Sequence, residues 1–219
     1  MITVNQMRAL ERQALHQGIL PLHLMENAGQ KVYEVVKEKF DFLNKKIVIF
    51  AGIGNNGGDS FVAARYFVEE CPVLIFLFGD VSKLSEEAQE SYQRIKEKVN
   101  IIPILTKDDL QQLHFQPHHN HILIDALLGL GIKGEVKDPL AFAIDYFNAL
   151  PGIKVAIDVP SGMNPDSGEG KKMCEVDLII TLHDLKPGLQ KLKERTVIVD
   201  IGLSQIEISL PSQEQNGLS

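Results

Sequence analysis

Between Lys45 and Phe61 the chain passes through a short apolar run, Ile47-Val48-Ile49-Phe50-Ala51. Four glycines follow, Gly52, Gly54, Gly57 and Gly58, and then Phe61-Val62-Ala63-Ala64-Arg65-Tyr66-Phe67. The first part reads as a buried strand and the last as a helix, expected to open at Asp59. The glycines let the backbone turn sharply and approach a ligand closely. The first amides of a helix have no intrahelical partners, so a strand, a glycine turn and a helix start make an anion site. Gly52, Gly54 and Gly57 match G-x-G-x-x-G, a spacing that many unrelated loops share. Asn55 and Asn56 side by side and Asp59 closing the loop are less ordinary. An asparagine carbonyl oxygen suits a hard monovalent cation or a ribose hydroxyl. Asp59 also has the chemistry of a helix N-cap.

The same alternation repeats along the chain. Apolar runs at Val73–Phe78, Ile101–Leu105, His121–Asp125, Lys154–Asp158, Val176–Leu182 and Thr196–Asp200 read as strands. Helices are expected from Thr3 to about His16, from Pro21 onward, over Ser85–Lys98, briefly after Thr106, and over Pro139–Leu150. Thr3 and Gln6 have the spacing of a capping box, and Pro21 suits a first helical turn. Strands apolar on both faces and alternating with helices imply a parallel sheet covered on both sides. The expected fold is α/β, a doubly wound, Rossmann-like three-layer α/β/α arrangement with a mostly parallel central sheet. One domain is expected over residues 1–204, followed by a polar, flexible tail over 205–219.

A net charge of −7 is the wrong sign for a general nucleic-acid binder. The N-terminus lacks a signal-peptide core and no apolar run reaches membrane-spanning length, so a cytoplasmic protein away from membranes is expected. Cys71 and Cys174 are far apart and suggest buried thiols in a reducing compartment. His118, His119 and His121 invite a metal reading. They lack helical spacing and precede a strand, whereas ligands of open α/β sheets sit beyond strand C-termini. Met25-Glu26-Asn27-Ala28-Gly29 in the second helix has small residues for close packing, with Glu26 and Asn27 able to face a ligand.

Three strand ends carry unusual loops. Ala51 leads into the Asn-Asn turn, Asp125 into Ala126-Leu127-Leu128-Gly129-Leu130-Gly131, and Asp158 into Val159-Pro160-Ser161-Gly162. A parallel sheet puts all three on one edge, where they can share a cleft. Asn56, Asp125 and Ser161 offer oxygen donors only, which favours a hard cation over zinc. Nothing resembles a Ser-His-Asp triad or a cysteine nucleophile.

Taken in order, Gly-x-Gly-Asn-Asn-Gly-Gly-Asp, Asp125-Ala126-Leu127-Leu128-Gly129-x-Gly131 and Ile157-Asp158-Val159-Pro160-Ser161-Gly162 resemble the NAD(P)H-hydrate epimerase family. Its domain is also called the YjeF N-terminal domain and is related to apolipoprotein A-I-binding protein. Met25–Gly29 and Lys186-Pro187-Gly188-Leu189 also resemble family segments. The resemblance implies a cofactor-repair isomerase that interconverts the R and S epimers of hydrated NADH and NADPH (NADHX and NADPHX). A separate NAD(P)HX dehydratase would act downstream, carried here by another chain, and the expected assembly is a homodimer.

The resemblance also implies residue roles. Asn55, Asn56, Gly57, Gly58 and Asp59 would hold the dinucleotide phosphates. Gly129, Leu130, Gly131, Ile132, Lys133, Gly134 and Glu135 would form a second wall. Asn56, Asp125 and Ser161 would bind one potassium ion. Asp158 would contact the hydrated ring. Beyond what the resemblance implies, a partly shielded carboxyl there is expected to pass a proton to the departing C6 hydroxyl while the ring nitrogen pushes. Ile53, Ser60 and Met163-Asn164 depart from the family pattern, and the Ser60 hydroxyl adds one candidate phosphate donor.

Two rivals stand beside this reading. An NAD-dependent dehydrogenase would use Gly52, Gly54 and Gly57, with Asp80 as the ribose acid, but leaves the asparagines and the Pro160-Ser161-Gly162 loop unexplained. A catalytically inactive dinucleotide-binding or protein/RNA scaffold module of the same fold would not need Asn56, Asp59, Asp125 and Asp158 together.

Overall fold

A computed structural model describes residues 1–42, 44–113, 115–131 and 134–206. Helix α1 spans Val4–His16. The Thr3 hydroxyl accepts from the Gln6 amide and the Gln6 side chain accepts from the Thr3 amide, so the capping box forms as the spacing predicts. Helix α2, Pro21–Lys39, opens on its proline. Strand β1, Lys46–Gly52, then feeds α3, Asn55–Phe67. Strand β2 covers Val73–Phe78, α4 Glu86–Ile95 and β3 Asn100–Ile104. Helix α5, Lys107–Gln111, is capped by Thr106. Strand β4, His121–Ala126, helix α6, Leu140–Ala149, and strand β5, Ile153–Ile157, follow. Strands β6, Leu178–Leu182, and β7, Thr196–Val199, close the chain, joined through a 3-10 segment over Pro187–Arg195.

The seven strands form one sheet in the order β3-β2-β1-β4-β5-β6-β7, and every neighbouring pair is parallel. The order turns back at β1 and β4, which places a crevice above their C-terminal ends. Alternate residues of each strand feed opposite layers. Ile47, Ile49 and Ala51 of β1 pack with residues of α1 to α4 such as Leu10, Val32 and Phe61. Val48 and Phe50 face the other way, toward Ala143, Ile144 and Phe147 of α6. Phe50 meets Phe76 and Phe147 edge-on, with ring centroids 5.3 and 5.2 Å apart. Each such fully buried side chain contributes about 1.5–3 kcal/mol of transfer free energy.

Helix α3 begins at Asn55, four residues before the expected start, so Asp59 lies inside the helix and Gly54 is its N-cap. Gly57 and Gly58 hide the helix from a propensity reading, since glycine is a poor helix former. Their presence has a packing reason. A Cβ on Gly57 would lie 1.9 Å from the Gly52 carbonyl oxygen, and one on Gly58 would lie 2.4 Å from the Met25 methyl. The helix therefore sits directly on the end of β1. The expected tail falls, from residue 207 on, outside the described residues. No helix among the described residues is long and apolar enough to cross a membrane.

Candidate active site

A cleft of about 1020 Å³ opens above the C-terminal ends of the strands, a size that fits a dinucleotide-class ligand. Asn55 and Asn56 at the start of α3 form its floor together with Gly52 and Gly54. Among the described residues no side chain caps the first turn of α3, which leaves its leading amides free for a ligand in the cleft that Asn55 and Asn56 line. Gly129, Leu130 and Gly131 make the facing wall. Of the rest of that expected wall, Ile132 and Lys133 lie outside the described residues, and Gly134 and Glu135 do not line the cleft. Glu135 instead pairs with Lys171 on the surface. Gly57 and Gly58 face the protein interior beneath the floor.

Below the floor the three expected cation ligands are linked through the loop after β4: Asn56 and Ser161 both bond to Leu128, and Asp125 bonds to Ser161 and to the Leu127 amide. The Asn56 side-chain amide donates to the Leu128 carbonyl at 2.9 Å, and the Leu128 amide donates to Ser161 Oγ at 2.9 Å. Ser161 in turn donates to both Asp125 oxygens, through its hydroxyl at 2.5 Å and its backbone amide at 2.7 Å. Asp125 is fully buried, and burial pushes its carboxyl up against the pull of the Ser161 and Leu127 hydrogen bonds. The Asn56 carbonyl oxygen Oδ1 is buried with no hydrogen-bond partner among the described residues. An unpartnered buried amide oxygen beside a buried carboxyl and a hydroxyl is an oxygen donor set of the kind a hard cation takes.

Asp158 ends β5 with φ +66°, a left-handed conformation that Asp tolerates better than most residues. This turn aims its carboxylate across the end of β6. Oδ1 accepts from Thr181 Oγ1 at 3.3 Å, from the Leu182 amide at 3.2 Å and from the Lys186 ammonium. Lys186 is fully buried and also donates to the Leu182 carbonyl at 2.7 Å. Asp158 is 5% exposed, and that exposure faces the cleft.

Asp59 lines the same cleft, also buried, with no hydrogen bond to its carboxyl among the described residues. Desolvation pushes its pKa well above the usual carboxylate value, and the charges of Asp158 and Glu11 push it further. Glu11 reaches the cleft from α1, where Met7, Arg8 and Glu11 share one helical face. It is shifted up as well, chiefly by desolvation and then by Asp158. Arg8 ties α1 to the facing wall through the Leu130 carbonyl at 3.4 Å.

Lys186 and the α1 residues were given no role from sequence. The Lys186-Pro187-Gly188 segment carried a signal for the first. For Glu11 the only signal is its helical phase beside Met7. Glu26 and Asn27 do not face the ligand space. Glu26 joins α2 to α3 and α4 through Arg65 and Arg94, and Asn27 donates to the Ile201 carbonyl at 2.8 Å. The Ser60 hydroxyl donates back to the Gly57 carbonyl at 2.6 Å and is fully buried, so it is not a phosphate donor. Ile53 packs against Gly79, Met163 is buried in the core, and Asn164 caps the turn at Asp166 and Ser167. His118 and His121 use ring nitrogens as acceptors for local backbone amides. Among the described residues no group of three or more His, Cys, Asp or Glu is placed to hold a metal ion.

A seven-stranded parallel sheet with a glycine turn, a bare helix N-terminus and paired ionisable groups in one crevice defines a doubly wound protein of the nucleotide-binding class. The family described as YjeF-related protein N-terminus matches residues 21–188, and the chain belongs to it. A protein of Nitrosopumilus maritimus named NAD(P)H-hydrate epimerase is 34% identical over 99% of both chains. One of the same name from Cenarchaeum symbiosum is 32% identical, again over 99% of both. A bifunctional NAD(P)H-hydrate repair enzyme Nnr of Archaeoglobus fulgidus is 37% identical over 93% of this chain, which spans 42% of that longer protein. The crystal structure of yeast ynu0, YNL200c, superimposes with a TM-score of 0.78 over 91% of this chain and 87% of its own, at 21% identity, and shares the fold.

Proposed function

We propose that this chain is an NAD(P)H-hydrate epimerase, an isomerase that equilibrates the R and S forms of NADHX and NADPHX. The observation that carries the reading is the meeting, in one cleft, of the uncapped N-terminus of α3 and the Lys186-braced carboxylate of Asp158. The first is suited to a pyrophosphate. The second provides a charged, oriented group where a hydrated nicotinamide ring would lie. The two full-length relatives that carry the epimerase name lend the reading its substrate.

Phosphate oxygens would be met by the Asn55 and Asn56 amides, with Gly129 to Gly131 closing over them. Asn56 Oδ1, Asp125 and Ser161 would hold a potassium ion, which when bound supplies positive charge beneath the phosphates. The loops after β4 and β5 are tied to each other through Ser161, Asp125 and Leu128, which supports a pre-formed seat for such an ion. A dehydratase would consume the product, in the cytoplasm, and the epimerase would act as a homodimer.

The test is direct. Purified R-NADHX is incubated with the protein and the epimers are separated by chromatography, with potassium present and absent. Accelerated approach to the R/S equilibrium is expected, faster with potassium. Dinucleotide binding with no exchange would identify a binding module instead, and oxidation of the cofactor by a hydroxy acid would identify a dehydrogenase.

A further inference from the structure

Two carboxyl groups line the cleft, near enough that the charge of Asp158 acts on Asp59, and stand in opposite surroundings. Asp158 receives three donors on one oxygen, one of them an ammonium that is itself fully buried. Those are the contacts of a carboxylate that accepts. They leave Oδ2 toward the cleft, without a hydrogen bond among the described residues. Asp59 is buried to 7% exposure on α3, also on the cleft wall, and no described residue donates to it. A buried carboxyl without a donor or cation is cheaper to keep neutral, and a neutral carboxyl holds a proton to give. The charged groups that face Asp59 are Asp158 after β5, Glu11 on α1 and Lys186 after β6, and Lys186 is already committed to Asp158. When the environments of two carboxyls are pushed apart in this way, one serves as acid and the other as base.

We infer that Asp59 is the catalytic residue that protonates the departing C6 hydroxyl and that Asp158 takes the proton of the returning water. This rests on the epimerase reading and moves the acid role from Asp158, where the sequence alone had placed it, to Asp59. The Asp59 O–H bond breaks and its proton goes to the C6 hydroxyl oxygen. The C6–O bond breaks, water leaves, and the ring nitrogen lone pair becomes the C6=N1 bond. A water oxygen then bonds to C6, that pair returns to nitrogen, and the proton this water sheds goes to Asp158. Nothing is oxidised or reduced. One proton has moved from Asp59 to Asp158, and the reverse epimerisation moves it back. Glu11 on α1 lines the cleft, partly desolvated by the protein around it yet with its side chain still in contact with solvent, and is placed to exchange protons and reset the pair. The uncharged Asp59 also explains how a carboxyl is tolerated one turn inside a helix whose N-terminus is assigned to phosphates.

The test compares wild type, Asp59→Asn and Asp158→Asn by R/S exchange kinetics across pH, and measures NADP⁺ binding by calorimetry. Asp59→Asn is expected to keep NADP⁺ affinity within about threefold while kcat falls ~10²–10⁴-fold, the usual loss for a general acid. The wild-type rate is expected to fall as pH rises through the Asp59 pKa, and Asp59→Asn to lose that alkaline limb. An Asp59→Asn enzyme with kcat within tenfold of wild type, or one that has lost NADP⁺ binding with kcat intact at saturation, overturns the assignment. If Asp59→Asn does not fold, the wild-type profile decides, and a rate flat on the alkaline side overturns it. A wild type that exchanges no epimers at all sinks the epimerase reading itself, and this inference with it.

Discussion

Lys186 shows how much a single buried charge can decide. With 0% exposure it has no water to turn to, and Asp158 and the Leu182 carbonyl take its place. Removing one partner of such a pair leaves the other buried and uncompensated, at a cost of about 3–5 kcal/mol. Lys186→Met should therefore lower the urea midpoint sharply, and Lys186→Met with Asp158→Asn should recover most of the loss. Additive losses in the double variant would mean that the two side chains are not energetically coupled. Asp59 leads to the opposite expectation. Its carboxyl sits near 3.9 in the unfolded chain and is pushed up in the fold, so the native state binds the extra proton. Its stabilising contribution is complete below the unfolded value and is lost as pH rises through the folded one. Asp59→Asn should thus be more stable than wild type at neutral pH, because the amide has no proton that the native state must take up. The gap should close in acid. Denaturant unfolding at several pH values checks it, and a gap that widens in acid would reverse the sign.

Elements whose ends announce themselves were legible from the chain, and α3 was legible only in part. Thr3 with Gln6, Thr106 and Pro21 carry local end signals, and the helices begin where those signals stand. Replacing the Thr3 hydroxyl, as in Thr3→Ala, should cost about 1 kcal/mol, read as a drop in thermal midpoint, because a helix amide loses its acceptor. Helix α3 has no such side-chain cap, and its first turn contains the two residues that local propensity disfavours most after proline. Tertiary contact decides instead, since only a missing Cβ allows Gly57 to lie on the Gly52 carbonyl. Gly57→Ala would gain helix propensity locally. It should nevertheless destabilise the protein and weaken NADP⁺ binding, because α3 must lift from β1 and carry Asn55 and Asn56 with it. Calorimetric titration with NADP⁺ measures this, and unchanged affinity would show that the contact is not what sets the floor.

Across the whole molecule, the sheet was readable because β1, β2, β4 and β6 are apolar on both faces, which only a covered parallel sheet accommodates. Asn56, Asp125 and Ser161 were readable as a set because parallel strands deliver all their C-termini to one edge. Lys186 and Glu11 were not, because one follows a strand through a bend and the other comes from a helix that the sequence does not tie to the sheet. What the set below the cleft does for stability follows from its charge. Among the described residues Asp125 is a fully buried carboxyl with no basic side chain paired to it, and Asn56 Oδ1 is an acceptor without a donor. An ion that fits them binds the native state and not the unfolded chain, so it stabilises by RT ln(1 + [K⁺]/Kd), about 2.7 kcal/mol at a hundredfold excess over Kd. The thermal midpoint should therefore be higher in potassium chloride than in tetramethylammonium chloride at equal ionic strength. The difference should grow logarithmically with potassium and vanish in Asn56→Leu. Screening of surface charge depends on ionic strength alone and not on which monovalent cation provides it, so identical midpoints in the two salts would leave Asp125 and Asn56 without an ion to hold.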